Sequence, residues 1–313
     1  MYRCAQCGEH DYAYHSCHHR ACPRCGGGRT AAWTQRQTER LLPVPYFLVT
    51  FTVPEAMRPF FVIRPEVMYD LLFNEAARSL QQVAAQPRHL GAELGLVGVL
   101  HTWGRQLQLH PHVHFIVPGG GLRPDHRKWR QNRRPDWFLP VLAISAAFRQ
   151  RVEQALQAQA PDLHAQVSEA TWRAEWVVHC QPVGHGGPVV RYLARYVSRT
   201  AISDDRIIKA TDDHVTFRYR DSQDGQTRHC TLEAEEFMRR YLQHVLPPGL
   251  HRVRYFGWLH PAAKLRRAIV DTLLDVVIVV TANADQPPPW HLHCPHCHQF
   301  TLVCVRTLAR APP

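Results

Sequence analysis

Two histidines separated by a single residue, His112 and His114, stand in the segment His110-Pro111-His112-Val113-His114-Phe115-Ile116-Val117. Residues two apart share a face of a strand, so these two imidazoles project together while Val113 points the other way. That is the arrangement two neutral imidazoles need to hold one divalent cation. Taken alone, a His-x-His pair is more often the wet face of a strand. His110 is a further donor, although Pro111 disturbs its alternation with the pair. A second constellation runs from Arg191 to Arg199, reading Arg-Tyr-Leu-Ala-Arg-Tyr-Val-Ser-Arg. On a helix Tyr192 and Tyr196 share a face, with Arg191, Arg195 and Arg199 as a neighbouring stripe. A phenol with its ordinary pKa near 10 becomes a good nucleophile only where cations favour the phenolate. Arginines and a bound metal supply such a field, whereas core-facing tyrosines beside solvated arginines are the simpler account of the segment in isolation.

Six of the ten cysteines fall into Cys-x-x-Cys pairs, namely Cys4/Cys7, Cys22/Cys25 and Cys294/Cys297. Two thiolate pairs on tight turns enclose zinc tetrahedrally and fold a segment too small for its own apolar core. The expected N-terminal site is Cys4, Cys7, Cys22 and Cys25, with Cys17, His15, His18 and His19 as substitutes. Four protein thiolates leave no open position, so this zinc is structural. Cys294 and Cys297, near His291, His293, His298 and Cys304, are a further zinc candidate. Such pairs in a chain without a signal peptide point to a reducing compartment. The most apolar run, Val276 to Val280, is too short to span a bilayer, so a cytoplasmic protein with no membrane partner is expected.

The formal charge of +11 and pI near 9.4 point to a polyanionic partner, because Lys and Arg on phosphates release counterions. Seven basic and no acidic residues lie between Arg239 and Arg267, and six basic residues stand against one Asp between Arg123 and Arg134. Arg127, Lys128, Arg130, Arg133, Arg134 and Arg191 are the candidate phosphate contacts.

The elements that position these groups are read from periodicity. Helices are expected from about Thr30 to Leu42, over Glu66–Gln86, over Ser145–Gln159 with Ser145 as cap, and over Val189–Arg199. Strands are expected at Tyr46–Val53, Gly95–Thr102, His110–Val117, Trp172–Gln181, His214–Arg220, Arg228–Leu232 and Arg252–Trp258. Gly95–Thr102 and His110–Val117 read as an antiparallel hairpin, and Asp224-Gly225 as a turn. Hairpins interleaved with helices indicate an α+β domain around a mainly antiparallel sheet flanked by helices. The expected divisions are a Cys-rich zinc module at 1–29, a catalytic and DNA-binding domain at 30–285 and a Cys/His module at 286–313.

Taken together, YRCAQCGEHDYAYHSCHHRACPRCGG, LLPVPYFLVTFTVP, HTWGRQLQLHPHVHFIVPGGGL, WVVHCQPVGHGG, YLARYVSRTAISDDRI and VRYFGWLHP resemble, in order, the insertion-sequence ninety-one family of HUH-type rolling-circle transposases, relatives of the Helitrons. The resemblance covers nearly the whole chain. It implies an HUH-endonuclease-like domain whose His pair, His112 and His114, binds Mg2+ or Mn2+, with His110 and Gln181 both open as the third ligand. It implies that Tyr196, or Tyr192 one turn earlier, attacks a phosphodiester of single-stranded DNA at transposon ends and target, with Arg195 and Arg199 beside it. The products are a 5′-phosphotyrosine and a free 3′-hydroxyl, so joining needs no ATP. Family members carry a segment before the YRC turn, whereas Met1 stands directly before Tyr2 here, so a short form or a misassigned start is the expectation. A bacterial, nucleoid-associated location follows from the resemblance, and an oligomeric state does not. Two other readings are a plasmid or phage replication-initiator nickase and a non-catalytic, zinc-dependent DNA-binding remnant.

Overall fold

The computed structural model describes residues 1–12, 27–197, 201–221, 224–276, 294–299 and 301–306. Two short strands, β1 (Tyr2–Cys4) and β2 (His10–Asp11), precede helix α1 (Gly27–Glu39). Strand β3 (Tyr46–Thr52) carries the aromatic and β-branched run that favours a pleated, half-buried backbone. The single turn α2 (Phe60–Ile63) leads to α3 (Pro65–Ala85), where Pro65 takes the first helical position and its missing N–H costs nothing. β4 (Gly95–Trp103) and β5 (Leu109–Pro118) form an antiparallel hairpin, and β6 (Gly120–Leu122) pairs with β7 (Trp129–Gln131) around the basic loop. Helices α4 (Val141–Gln159), α5 (Pro161–His164) and α6 (Glu169–Arg173) lead to β8 (Val178–Pro182) and α7 (Gly187–Val197). β9 (Ile207–Ala210), β10 (His214–Arg220) and β11 (Thr227–Glu233) form a second antiparallel sheet, followed by α8 (Ala234–Leu242). Last come β12 (Val253–Gly257), α9 (Lys264–Leu273) and β13 (Leu302–Cys304). No helix among the described residues is long and apolar enough to cross a membrane.

The central sheet has the order β12-β4-β5-β3-β8 with every neighbouring pair antiparallel. Its two faces are separated by strand alternation. Phe47, Val49 and Phe51 of β3 and Val113, Phe115 and Val117 of β5 belong to one core, closed by α3 and α4. Tyr46, Leu48, Val97, Val99 and Ile116 form the other, closed by Trp33 of α1, by Val189, Val190 and Leu193 of α7, and by Val270 of α9. The molecule is thus an α+β protein with a helix layer on each side of an antiparallel sheet. The β9–β11 sheet packs Phe217 against Trp103 and Leu107 at the end of the β4–β5 hairpin.

Two local expectations change. Ser145 does not cap α4, because the helix already starts at Val141 behind Pro140. Ser145 lies one turn inside, and its hydroxyl donates to the Trp176 carbonyl at 2.5 Å. The stretch from Trp172 is not yet a strand. Ser168 caps the short α6 by accepting from the Thr171 amide, and Trp172 stacks on Trp176, so β8 begins only at Val178. Strand β1 pairs on one side with β2 and on the other with β13, which joins the two chain ends in one sheet.

Gly257 ends β12 with φ +61°, and a Cβ there would fall 1.8 Å from the Leu94 carbonyl oxygen. The close approach of β12 to the segment before β4 therefore requires glycine. Gly257→Ala is expected to lower the unfolding free energy by more than about 1 kcal/mol, since both φ and contact are violated. A urea titration with an unchanged midpoint would contradict that account.

Candidate active site

Strand pairing assembles a histidine cluster on the central sheet. His112 and His114 occupy alternate positions of β5, and His101 of β4 sits directly across from His112. The ligand-capable nitrogens of His101, His112 and His114 all lie within 4.8 Å of one another. All three side chains are almost fully buried. Burial holds the His101 imidazole well below its ordinary pKa, and the neighbouring imidazoles add to this. Desolvation, then His114, brings His112 down to about 3, and desolvation brings His114 down to about 4. The three rings are therefore neutral near pH 7, with lone pairs to offer.

Hydrogen bonds fix which nitrogens those are. His112 Nδ1 is 2.6 Å from the His110 carbonyl, which only accepts, so Nδ1 carries the proton and Nε2 the lone pair. That Nε2 is 2.9 Å from His101 Nδ1, so His101 Nδ1 must donate. His101 Nε2 is then an acceptor, and it is buried with no hydrogen-bond partner. His114 Nδ1 is held by the Thr50 hydroxyl at 2.8 Å, from the adjacent strand β3. A divalent cation would take the place of the proton shared by His101 Nδ1 and His112 Nε2, which at 2.9 Å are close enough to ligate one ion, with the Thr50 hydroxyl and the His110 carbonyl orienting His114 and His112.

Helix α7 lies against this cluster. Val189, Val190, Leu193 and Ala194 pack onto the sheet, which leaves Tyr192 and Arg195 outward and Tyr196 at the edge. The Tyr196 ring lies 4.2 Å from that of His101, and 5.4 Å from that of Tyr192. Burial and a hydrogen bond with Tyr192 raise the Tyr196 pKa, while Arg195 and Arg105 pull it down. Tyr192 is the more exposed of the two, at 41%. Both tyrosines, Arg195 and the histidines line one cleft of about 1260 Å³.

The other expected residues distribute as follows. His110 lines the cleft 5.0 Å ring to ring from His112, outside the three-histidine cluster. Gln181 is exposed on β8, opposite Leu48 and two strands from β5. Arg127, Lys128, Arg130, Arg133, Arg134 and Arg191 are not among the cleft-lining residues. Arg134 is taken by Asp136 at 3.0 Å. Arg199 lies outside the described residues, as do Cys17, Cys22 and Cys25. Sequence reasoning missed His101, Thr50 and the cleft arginines Arg105, Arg206 and Arg220. The hairpin itself held the signal for His101, since residues facing each other across β4 and β5 have a constant sum, and 101 pairs with 112 as 97 pairs with 116.

A second metal-ligand cluster lies at the joined chain ends. Among the described residues Cys4, Cys7, Cys294 and Cys297 form it, which brings the C-terminal pair to the first one; Cys22 and Cys25 lie outside those residues. Each pair sits on the same backbone turn. Gly8 N donates to Cys4 O at 3.0 Å and His298 N to Cys294 O at 2.9 Å, and Gly8 and His298 both have positive φ. The Sγ separations of 3.6 Å for Cys4–Cys297 and 3.7 Å for Cys7–Cys294 compare with edges of about 3.8 Å in a tetrahedron built on Zn–S bonds of about 2.3 Å. The Cys7 amide, then the Thr301 hydroxyl, bring the Cys4 thiol down to about 5. At Cys7 the Glu9 amide opposes burial and the neighbouring sulfurs, which prevail and push it up to about 12. Four crowded sulfurs resist joint ionisation until a cation neutralises them, and this donor set fits zinc.

Two outcomes are expected. As pH falls below about 6.5 the unfolded chain protonates its histidines before the folded one does, so the metal-free fold should lose stability progressively toward pH 4 and below. Urea midpoints followed from about pH 7 to about pH 4 should fall less steeply in His112→Gln; identical pH dependence in both proteins would exclude the cluster as the source. Stripping the thiolate metal, or Cys4→Ser, should expose Arg3 and Arg306 to trypsin together while the central sheet stays folded. Continued protection after verified metal loss would show that strand pairing alone closes the ends.

A family profile described as "Putative transposase" matches residues 95–267, and one described as "Transposase zinc-binding domain" matches residues 1–53. The chain is 37% identical to "Putative transposase y4qJ" of Sinorhizobium fredii over 96% of its own length and 83% of the relative's. It is 30% identical to "Transposase for insertion sequence element IS801" of Pseudomonas savastanoi pv. phaseolicola over 81% of its length and 65% of the relative's. No solved structure matches the chain. The zinc-binding profile at one end, the transposase profile over the hairpin and α7, and these two relatives place the chain in the insertion-sequence ninety-one family of transposases.

Proposed function

We propose that this transposase is an HUH-type strand transferase that cuts and joins single-stranded DNA in rolling-circle transposition, with Tyr196 as first nucleophile. The observation that carries this reading is the contact of the Tyr196 ring with that of His101, 4.2 Å between centroids and tilted by 44°, inside the cleft that holds the histidine cluster. His101, His112 and His114 would hold Mg2+ or Mn2+, in preference to a set completed by His110 or Gln181, because only His101 brings a nitrogen into the cluster. The cation, when bound, supplies positive charge that polarises a phosphate and favours a phenolate.

The chain's own groups do the rest. Burial keeps Tyr196 protonated in the free protein, so its hydroxyl is inert until a cation and a phosphate enter together. Arg195, exposed one residue before it, is placed to pair with a non-bridging phosphate oxygen. The Tyr196 oxygen attacks phosphorus, its proton leaving to solvent. The bond from phosphorus to the 3′-oxygen breaks, and that oxygen takes up a proton to become a 3′-hydroxyl. The 5′-phosphate stays esterified to tyrosine, one phosphodiester replacing another, so a later attack by a 3′-hydroxyl rejoins DNA without ATP. Tyr192, one turn away and more exposed, is suited to a second cleavage while Tyr196 is occupied. The thiolate cluster leaves no open coordination position and serves to hold the DNA-binding ends rather than to cut.

Incubation of the full chain with Mn2+ and labelled single-stranded oligonucleotides from the element ends should give a protein–DNA band that survives denaturation. Tyr196→Phe should abolish that band on a single-site oligonucleotide while DNA binding, read by anisotropy, is unchanged. A band lost only in Tyr192→Phe would move the first nucleophile one turn earlier, and no band from any end sequence despite tight binding would overturn the reading.

A further inference from the structure

The cleft that holds the histidines and tyrosines is walled on its far side by arginines from an element that carries none of the reacting groups. Arg206 ends the turn before β9, Arg218 and Arg220 are on β10, and Arg228 is on β11. Arg105 joins them from the β4–β5 turn, and Arg195 faces them from α7. Two of the six are neutralised within the protein. Arg218 meets Asp205 at 3.4 Å, and Arg228 meets Asp221 at 3.1 Å and Asp224 at 2.8 Å. Arg105, Arg195, Arg206 and Arg220 have no carboxylate at ion-pair distance among the described residues.

Three of these four are nonetheless held in place, by backbone carbonyls. Arg105 donates to the Arg220 carbonyl, Arg206 to the carbonyls of Arg218 at 3.0 Å and Arg105 at 3.1 Å, and Arg220 to that of Gly225 at 2.8 Å. A carbonyl orients a guanidinium without cancelling its charge, and each guanidinium has five N–H donors, of which these bonds use one or two. The result is a set of fixed, uncompensated cations around one opening. Arg206 is half-buried, and burial works against its charge. Crowded like charges of this kind are stabilised by an anion that spans them. The cleft, at about 1260 Å³, exceeds the usual small-ligand pocket of about 300–1,000 Å³. Its wall also carries the half-buried ring of Tyr219 among the arginines, with the exposed ring of Tyr192 opposite. Cations interleaved with aromatic faces are the surface that an extended single strand of nucleic acid uses, phosphates on the guanidinium groups and bases on the rings.

We propose that the β9–β11 sheet, with Arg105, is the phosphate-binding wall of the cleft, and that single-stranded DNA runs between this wall and α7, which puts its backbone across the tyrosines. This assignment rests on the reading of the cleft as a DNA-cleavage site. It moves the main phosphate contacts away from the basic loop of Arg127, Lys128 and Arg130, which lies outside the cleft, and onto residues that no sequence pattern singles out. Arg105 and Arg220 are positioning residues that set where the strand lies, while Arg195 acts at the phosphate under attack.

The test is the salt dependence of binding. A labelled single-stranded oligonucleotide is titrated by anisotropy at several NaCl concentrations, without Mn2+, in a Tyr192→Phe/Tyr196→Phe background so that no adduct forms. Arg105→Gln with Arg220→Gln should weaken binding and reduce the slope of log K against log salt by about 1.4, at about 0.7 for each single-strand phosphate no longer neutralised. Arg105→Lys with Arg220→Lys removes the fork geometry but keeps the charge, and should keep most of the slope. Arg127→Gln with Lys128→Gln should change the slope less than the cleft pair does. An unchanged slope in the Gln pair overturns the proposal. Equal reductions in the Gln and Lys pairs also overturn it, because the arginines would then be scaffold rather than phosphate ligands. Failure of the underlying reading looks different: the Gln pair lowers the slope as expected, yet the protein with both tyrosines forms no covalent adduct.

Discussion

The register of one hairpin sets everything at the site. β4 pairs with β5 so that His101 faces His112 and Val99 faces His114, and β3 on the other side sets Thr50 against His114. Strand alternation has a period of two, so a one-residue slip of β5 would send His112 and His114 into the opposite core, away from His101, and bring Val113 and Phe115 to the cleft. What prevents the slip is the opposite face. Phe115 is fully buried and meets Phe51 edge-on at 5.9 Å, while a Cβ on Gly98 would strike both Phe115 and Phe73. The aromatic packing that stabilises the fold is thus the same constraint that aligns the histidines, and site and core are two faces of one pleat.

The electrostatics of the cleft follow from that placement. Imidazoles carried by the centre of a sheet are desolvated, hence neutral, hence available as ligands. The same desolvation reaches Tyr196, where it favours the phenol over the phenolate. On the opposite wall Arg105, Arg206 and Arg220 have no carboxylate at ion-pair distance among the described residues, while Arg218 and Arg228 do. Neutral donors on one side and unmatched cations on the other make the cleft complementary to a metal and an anion together. A phosphate bound with a divalent cation would answer both needs at once, in keeping with the cleavage site proposed above.

Much of this was legible in the sequence, for identifiable reasons. Aromatic and β-branched content marked Tyr46–Val53 as a strand, and the short gap after Trp103 marked the hairpin of Gly95–Thr102 with His110–Val117, because both are local properties. His112 and His114 were visible for the same reason. His101 was not, since a lone histidine gains meaning only from its cross-strand partner. Trp172 read as strand from its aromatic character, but a serine cap and ring stacking on Trp176 outweigh a propensity worth about 1 kcal/mol at most. The arginines of β10 and β11 alternate with apolar residues as on any solvated strand face, and nothing local reports that this face closes a cleft.

The chain ends make the same point in a sharper form. Cys-x-x-Cys announces a thiolate pair because four residues suffice to build the turn, and the turns at Cys4 and Cys294 share the same hydrogen bond and the same positive φ on the residue after the second cysteine. Nothing in four residues says which pair completes the tetrahedron. Proximity in sequence favours Cys22 and Cys25, since a short loop costs less entropy to close than one spanning most of the chain. That cost, however, grows only with the logarithm of loop length, and α1 and α9, which flank the two terminal segments, pack on the same face of the central sheet. The pairing of β1 with β13 then meets a chain that is largely closed, so a ligand pair some 290 residues away competes with one fifteen residues away on nearly equal terms.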